Sequence, residues 1–271
     1  MMKFYKKPFL PLIEFLGRLK AEKRFTEPPI LIGGCGRSGT TILLSIVSAH
    51  PQVFACPKEL GLFNKIKYDA EGNPGPHRID RLYRAVLTSK VKKTATRFVE
   101  KSPSNVKQIE VIDQYFKKYK FIHIIRDGRD VVLSIHPTDK SKYWVAPERW
   151  VHDVSAGLEH LHNPNVLSIF YEDLMQNYQE TMRQICQHCN LPLTPEIENW
   201  FEHTTVKKNK AYHGGVNKIN TRSIGKWQAP EHQERVQELL DYPGAQELLE
   251  KLGYLKGQPS LEAFQPNTIK P

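Results

Sequence analysis

Short apolar runs, each opening onto a glycine-rich or polar segment and then onto a stretch with helical spacing, organise this 271-residue chain. Residues 30–33 (Ile-Leu-Ile-Gly) lead into glycines, and Thr40 to Ala49 has helical character, which predicts strand, tight loop and helix in succession. Phe121-Ile122-His123-Ile124-Ile125 is the clearest strand, nearly continuous in apolar character as a strand covered on both faces should be. Arg97 to Glu100 reads as a short strand ending in the polar segment Lys101-Ser102-Pro103-Ser104-Asn105, and Val166 to Phe170 as another. Helices are expected over 79–88, after the turn-rich stretch 69–77, and over 106–119, where Val106, Ile109, Ile112, Tyr115 and Phe116 recur near helical spacing. Further helices are expected at 129–135, 144–161 and 177–189, with Pro192 and Pro195 punctuating the exit.

Strands alternating with helices predict an α/β fold with a central parallel sheet flanked by helices. The chain divides into an arm, 1–29, a single α/β domain, 30–256, and a polar, proline-containing tail, 257–271. Within the arm, residues 9–24 read as a short amphipathic segment packing on the domain. Its apolar patch, Phe9 to Leu16, is broken by Pro11 and Glu14 and has no cleavage site after it, unlike a secretory signal. Interleaved basic and apolar residues also suit a peripheral membrane contact.

Composition narrows the classes. A chain of this size buries roughly three quarters of its extended surface and needs no disulfide or structural metal to hold a core. Twelve Phe, 11 Tyr and 4 Trp argue against disorder, and no stretch approaches the roughly 18 apolar residues of a membrane span. Lys and Arg (39) exceed Asp and Glu (29), for a net charge of +10 that suits an anionic ligand. Four cysteines are too few for a scaffold. Cys186 and Cys189 form one CxxC with no second pair, so reduced thiols are expected.

The loop after the first strand reads Gly33-Gly34-Cys35-Gly36-Arg37-Ser38-Gly39-Thr40-Thr41. Glycines let the backbone curl so that successive N–H groups face an anion, the helix N-terminus adds a favourable field, and Ser38, Thr40 and Thr41 add donors. Gly34 to Gly39 has the spacing of a nucleotide-triphosphate loop, but Thr40 stands where that loop has Lys, and Arg37 is the candidate replacement cation. A second anion site is expected where Arg126 ends the best strand, with Ser134 eight residues on in the next helix. The competing reading makes Arg126, Asp127, Arg129 and Asp130 surface ion pairs.

These motifs in this order resemble the sulfotransferases that use 3'-phosphoadenosine-5'-phosphosulfate as donor, over roughly residues 30–250. The resemblance implies a P-loop NTPase-like three-layer sandwich. It implies that Gly34, Cys35, Gly36, Arg37, Ser38, Gly39, Thr40 and Thr41 hold the donor's 5'-phosphate, that Arg126 and Ser134 hold its 3'-phosphate, and that Tyr171, opening Tyr-Glu-Asp-Leu, borders it. Arg222, Ser223, Lys226 and Trp227 resemble the segment that closes over the nucleotide. Lys101 resembles a lysine near the sulfonate in the tyrosyl-protein and carbohydrate-type branch, and Glu59, in Pro57-Lys58-Glu59, the glutamate that deprotonates the acceptor there. The cytosolic aryl and steroid branch uses a histidine instead, for which His50, His77 and His123 are the candidates. The alternative reading of Lys101 is a solvated lysine at a strand end.

The expected activity is transfer of the donor's sulfuryl group to a hydroxyl-bearing acceptor, with Glu59, Arg37 and Lys101 catalytic and no metal required. Helix 144–161 and Lys207-Lys208-Asn209-Lys210 are candidates for the acceptor rim. The alternatives are an ATP-dependent small-molecule kinase, which wants a Lys after Gly39 and a magnesium-holding acidic strand end, a polyanion-binding module, disfavoured by diffuse positive charge, and a member that binds donor product without turnover. No nucleic-acid partner is expected, and the oligomeric state is left open. Golgi members of the family carry an N-terminal anchor and luminal disulfides. Neither is evident here, which predicts a soluble, cytoplasmic protein.

Overall fold

The structure, a computed structural model, describes residues 10–207 and 218–264. In chain order the elements are α1 (Leu10–Arg24), β1 (Ile30–Gly33), α2 (Thr40–Val47), β2 (Val53–Ala55), β3 (Ile66–Tyr68), β4 (Pro74–Pro76), α3 (Ile79–Thr88), β5 (Arg97–Lys101), α4 (Ile109–Tyr115) and β6 (Lys120–Ile125). Then come α5 (Gly128–Val132), α6 (Pro147–Leu158), β7 (Val166–Phe170), α7 (Tyr171–Gln176), α8 (Tyr178–His188), α9 (Pro195–Glu198), α10 (Trp200–His203), α11 (Gln233–Leu240) and α12 (Ala245–Lys251).

Five strands form one parallel sheet in the order β2-β5-β1-β6-β7. Successive side chains point to opposite faces, and the packing follows. Ile30, Ile32, Ile122 and Ile124 meet α2, α7 and α8 on one face, whereas Leu31 and Phe121 meet the cluster of α3 and α4 on the other. Ile125 and Phe170, at the carboxyl ends, join a third cluster with Trp150 of α6 and Leu249 of α12. Helices thus cover both faces, as the apolar runs required.

The strand order reverses about β1. The chain first builds β2 and β5 to one side, then β6 and β7 to the other. Ligands in open parallel sheets bind outside the carboxyl ends at such a reversal. Three segments converge there: the loop after Gly33, Lys101 at the end of β5, and Arg126 directly after β6.

Several boundaries differ from expectation. The helix expected at 106–119 is a 3-10 turn over Pro103–Gln108 followed by the short α4. That at 144–161 begins only at Pro147, whose fixed φ suits the first helical position. The helix expected at 129–135 stops at Val132, because Ile135 pairs with Tyr143 in an antiparallel bridge and Trp144 N donates to Ser134 O at 2.7 Å. The turn-rich stretch 69–77 forms a two-stranded excursion, β3 against β4, around Asp69. Cys35, Cys56, Cys186 and Cys189 are buried free thiols. Lys208, Asn209 and Lys210 lie outside the described residues.

Candidate active site

The loop between β1 and α2 owes its shape to two glycines with φ values L-residues rarely adopt. Gly34 has φ +141, and a Cβ there would stand 2.4 Å from Ile124 O. Gly39 has φ +97, and its Cβ would meet the Tyr171 ring at 2.4 Å. Arg37 shares the left-handed region, at φ 74. Such strain in a non-glycine residue persists only where the surroundings over-determine it. α2 begins at Thr40 with no side-chain cap, leaving its first N–H groups to a ligand.

A cavity of about 520 Å³ opens over this loop. Gly36, Arg37, Gly39, Thr40 and Thr41 form its floor, and Arg126, Tyr171, Arg222, Ser223 and Lys226 one end. Glu59, Asn64, Ser104, Trp144 and Arg149 surround the other. Gly34 serves the turn and donates its N–H to Pro103 O at 3.1 Å. Cys35 is fully buried in the third apolar cluster, with Trp150, and its thiol is pushed up by burial.

At the first end, Arg126 is 8% exposed, which removes the surface-ion-pair reading. Its guanidinium donates to Arg37 O at 2.9 Å and to Ser223 O, and lies 4.6 Å from the centre of the Tyr171 ring. The Tyr171 and Ser223 hydroxyls are 2.6 Å apart. Asp130 fastens the segment after Arg222 by accepting Gly225 N at 2.8 Å and Trp227 N at 3.1 Å. Trp227 covers Arg129, whose guanidinium lies 3.6 Å from the ring centre, and does not line the cavity. Nor does Ser134, stranded beyond the shortened α5.

Lys101 does not itself line the cavity but lies directly behind Thr41 and Glu59 at the second end, and at 1% exposed it rules out the solvated reading. Its ammonium donates to Thr41 Oγ1 at 3.1 Å and to the carboxylate of Glu59, whose side chain is half exposed. The Glu59 loop is itself pinned. Leu60 N donates to the buried Glu100 carboxylate at 3.1 Å, and Gly61 N to Ser102 Oγ at 3.0 Å. Arg81 reaches Leu60 O at 2.6 Å.

No histidine lines the cavity among the described residues. His50 is bound between Gln52 N and Pro192 O, each at 3.1 Å. His123 is wholly buried beside Ser168, its pKa lowered to about 3 by desolvation, and His77 is exposed on the excursion. Sequence reasoning missed Asn64 and Ser104 outright and placed Trp144 and Arg149 only within a rim helix. Arg149 extends its guanidinium over Gly36 and anchors to the buried Asp153, Nε to Oδ2 at 3.3 Å, while Lys107 binds the same carboxylate at 3.2 Å. The i, i+4 spacing of Arg149 and Asp153 was the one available signal.

Below Arg126 a buried relay holds the turn after β6. Asp127 N donates to Glu172 Oε1 at 3.1 Å, and the Tyr254 hydroxyl to Glu172 Oε2 at 3.0 Å. Burial pushes the Glu172 carboxyl from its ordinary 4.5 up to about 7. Between those values the folded chain retains a proton that the unfolded chain releases, so stability declines as pH rises through this window. The buried His123 and His188, whose pKa values are lowered, contribute in the opposite sense below about pH 6.5, so the test is the difference. Relative to Glu172→Gln, the wild-type melting temperature is expected to lose a few degrees between about pH 5 and pH 8. A scanning calorimetry series in which both proteins show the same slope would refute this.

Comparison with known proteins agrees with the architecture. The sulfotransferase domain from the curacin biosynthetic pathway superposes with a TM-score of 0.53 at 17% identity, covering 80% of this chain and 98% of that one. Mouse sulfotransferase SULT7A1, solved with PAP, gives 0.50 at 16% identity over 90% of this chain and 94% of that chain. The shared architecture is the P-loop NTPase-like sandwich. Among curated proteins, the Drosophila melanogaster protein-tyrosine sulfotransferase is 24% identical over 234 residues, 74% of this chain and 47% of its own length. Protein-tyrosine sulfotransferase A of Caenorhabditis elegans is 25% identical over 199 residues, 64% of this chain and 52% of its own. The chain therefore spans about half the length of these relatives. The expectation of a cytoplasmic protein does not stand, because these relatives lie in the branch that holds the Golgi membrane enzymes. No helix among the described residues is long and apolar enough to cross a membrane. The Sulfotransferase family model matches residues 28–195, and with the loop, the Arg126 turn and the Glu59–Lys101 pair all inside that span, the chain belongs to the sulfotransferase family.

Proposed function

We propose that this chain transfers the sulfuryl group of 3'-phosphoadenosine-5'-phosphosulfate to a hydroxyl by in-line displacement. The observation that carries the reading is the pairing of a half-exposed carboxylate, Glu59, with a buried cation, Lys101, at one end of an anion cradle whose other end is held by Arg126. The cradle has unspent capacity for an anion: Arg126, which lines it, has its Nε buried without a hydrogen-bond partner, as has the Ser38 hydroxyl just behind the lining. The donor class is supported by the PAP complex of the mouse enzyme of the same fold.

In this mechanism the loop from Gly36 to Thr41 holds the 5'-phosphate by backbone N–H groups and the threonine hydroxyls. Arg126, with Arg222 and Ser223, takes the 3'-phosphate, and Tyr171 supports Arg126 from below. The donor supplies an electrophilic sulfur and a phosphate leaving group. Glu59 accepts the acceptor's proton as the new oxygen–sulfur bond forms, which requires contact within about 3 Å, directly or through one water. Lys101 and Arg37 meet the charge that grows on the bridging oxygen, and positioned donors of this type act without reorganising. A tyrosyl peptide is the first acceptor to try, given the relatives' names.

Calorimetric titration with adenosine 3',5'-bisphosphate, against ATP–magnesium, tests the donor class. Micromolar binding of the bisphosphate, weakened at least tenfold (about 1.4 kcal/mol) in Arg126→Ala, is expected. Tight ATP–magnesium binding with no preference for the 3'-phosphate would move the reading to a kinase.

A further inference from the structure

The outer face of α1 is apolar and faces solvent. Leu12, Phe15, Leu16 and Leu19 are 53%, 57%, 43% and 47% exposed, and their spacing puts all four on one stripe. The opposite face is the one that packs. Gly17 lies so close to α3 that a Cβ would stand 2.3 Å from Tyr83 O, and Ala21 is buried. Lys20 and Arg24 secure the helix by donating to Val86 O at 2.7 Å and Lys93 O at 2.8 Å. The stripe is therefore the surface left over after the helix has docked.

Charge selects what covers it. Residues 1–24 carry seven Lys and Arg against two Glu. On α1 itself, Lys23 and Arg18, the latter ion-paired with the exposed Glu22 at 2.8 Å, stand beside the stripe. A second copy of the chain would bring two like-charged arms together, which opposes association. Four half-exposed side chains also fall short of the roughly 800 Å² a side that a stable protein interface buries. A narrow apolar stripe with basic residues beside it, on a helix packed against its domain by the opposite face, suits an interfacial helix whose apolar side chains enter the acyl boundary while its cations meet anionic headgroups.

We propose that α1 docks the protein peripherally on an anionic membrane surface, with Leu12, Phe15, Leu16 and Leu19 inserted. The proposal does not depend on the reaction assigned above. The test is co-sedimentation of the full chain with phosphatidylcholine vesicles, with and without roughly 30% phosphatidylserine. The wild-type chain is expected to bind the phosphatidylserine vesicles at least tenfold better than the neutral ones, and to release in about 0.5 M salt, where screening is short-ranged. The double variant Phe15→Asp, Leu19→Asp should lose at least tenfold in vesicle binding while its melting temperature falls by no more than a few degrees, since both side chains are about half exposed and Gly17 and Ala21 hold the packed face. Equal binding by wild type and variant, or a wild-type chain that ignores both vesicles, overturns the proposal. So does a wild-type dimer in light scattering that the variant converts to monomer, which would make a second copy the occupant.

Discussion

Lys101→Met is expected to lower turnover about a hundred- to a thousandfold while leaving the affinity for adenosine 3',5'-bisphosphate within a few-fold of wild type. Methionine keeps an unbranched stem only one atom shorter in a site that is 1% exposed, so the change removes charge and donors without opening a large cavity. Two contacts vanish, to Thr41 and to Glu59. In the proposed mechanism the group lost is the cation that meets the charge on the bridging oxygen, and a charge met only in the transition state appears in kcat rather than in binding. Single-turnover sulfate transfer from labelled donor is the measurement. A variant that keeps a tenth of wild-type turnover would remove Lys101 from the chemistry.

Glu59→Gln is expected to cost 10²- to 10⁴-fold in kcat, the usual contribution of a positioned base. The amide keeps the shape and still accepts a hydrogen bond from Lys101, so the loop stays where Leu60, Gly61 and Arg81 hold it. Binding of the bisphosphate should not change. The discriminating readout is the pH profile: the variant should lose the acid limb of kcat that a carboxylate base imposes. An unchanged profile with reduced kcat would make Glu59 a positioning residue instead.

Much of this site is legible in the linear chain because parallel sheets put function at strand ends. A run such as Ile30 to Gly33 followed by glycines, or Phe121 to Ile125 followed by Arg126, announces a strand and its mouth together. The Glu59–Lys101 contact was legible only through resemblance, since 42 residues separate the pair. Ser134 shows where local pattern fails. The spacing continues the helix, but the bridge from Ile135 to Tyr143, a contact closed across a turn beginning at Pro137, ends it early. Lys101 was open to reading as a solvated strand end because nothing in Glu-Lys-Ser-Pro states that β5 is flanked by β2 and β1 and covered on both faces. The position of Arg149 over Gly36 spans more than a hundred residues, and no short-range rule reaches that far.

The central position of β1 has a consequence for how the protein comes into being. The strand precedes the other four of its sheet along the chain, yet one of its two neighbours, β6, begins ninety residues later, at Lys120. Closing that gap is a long-range step of the kind that slows folding. Until it closes, the nascent chain carries its phosphate loop with neither the Ile124 carbonyl beneath Gly34 nor the Arg126 guanidinium against Arg37 O. If the proposed function holds, capture of the donor is thereby reserved for chains that have closed this sheet, and the donor in turn stabilises that folded state.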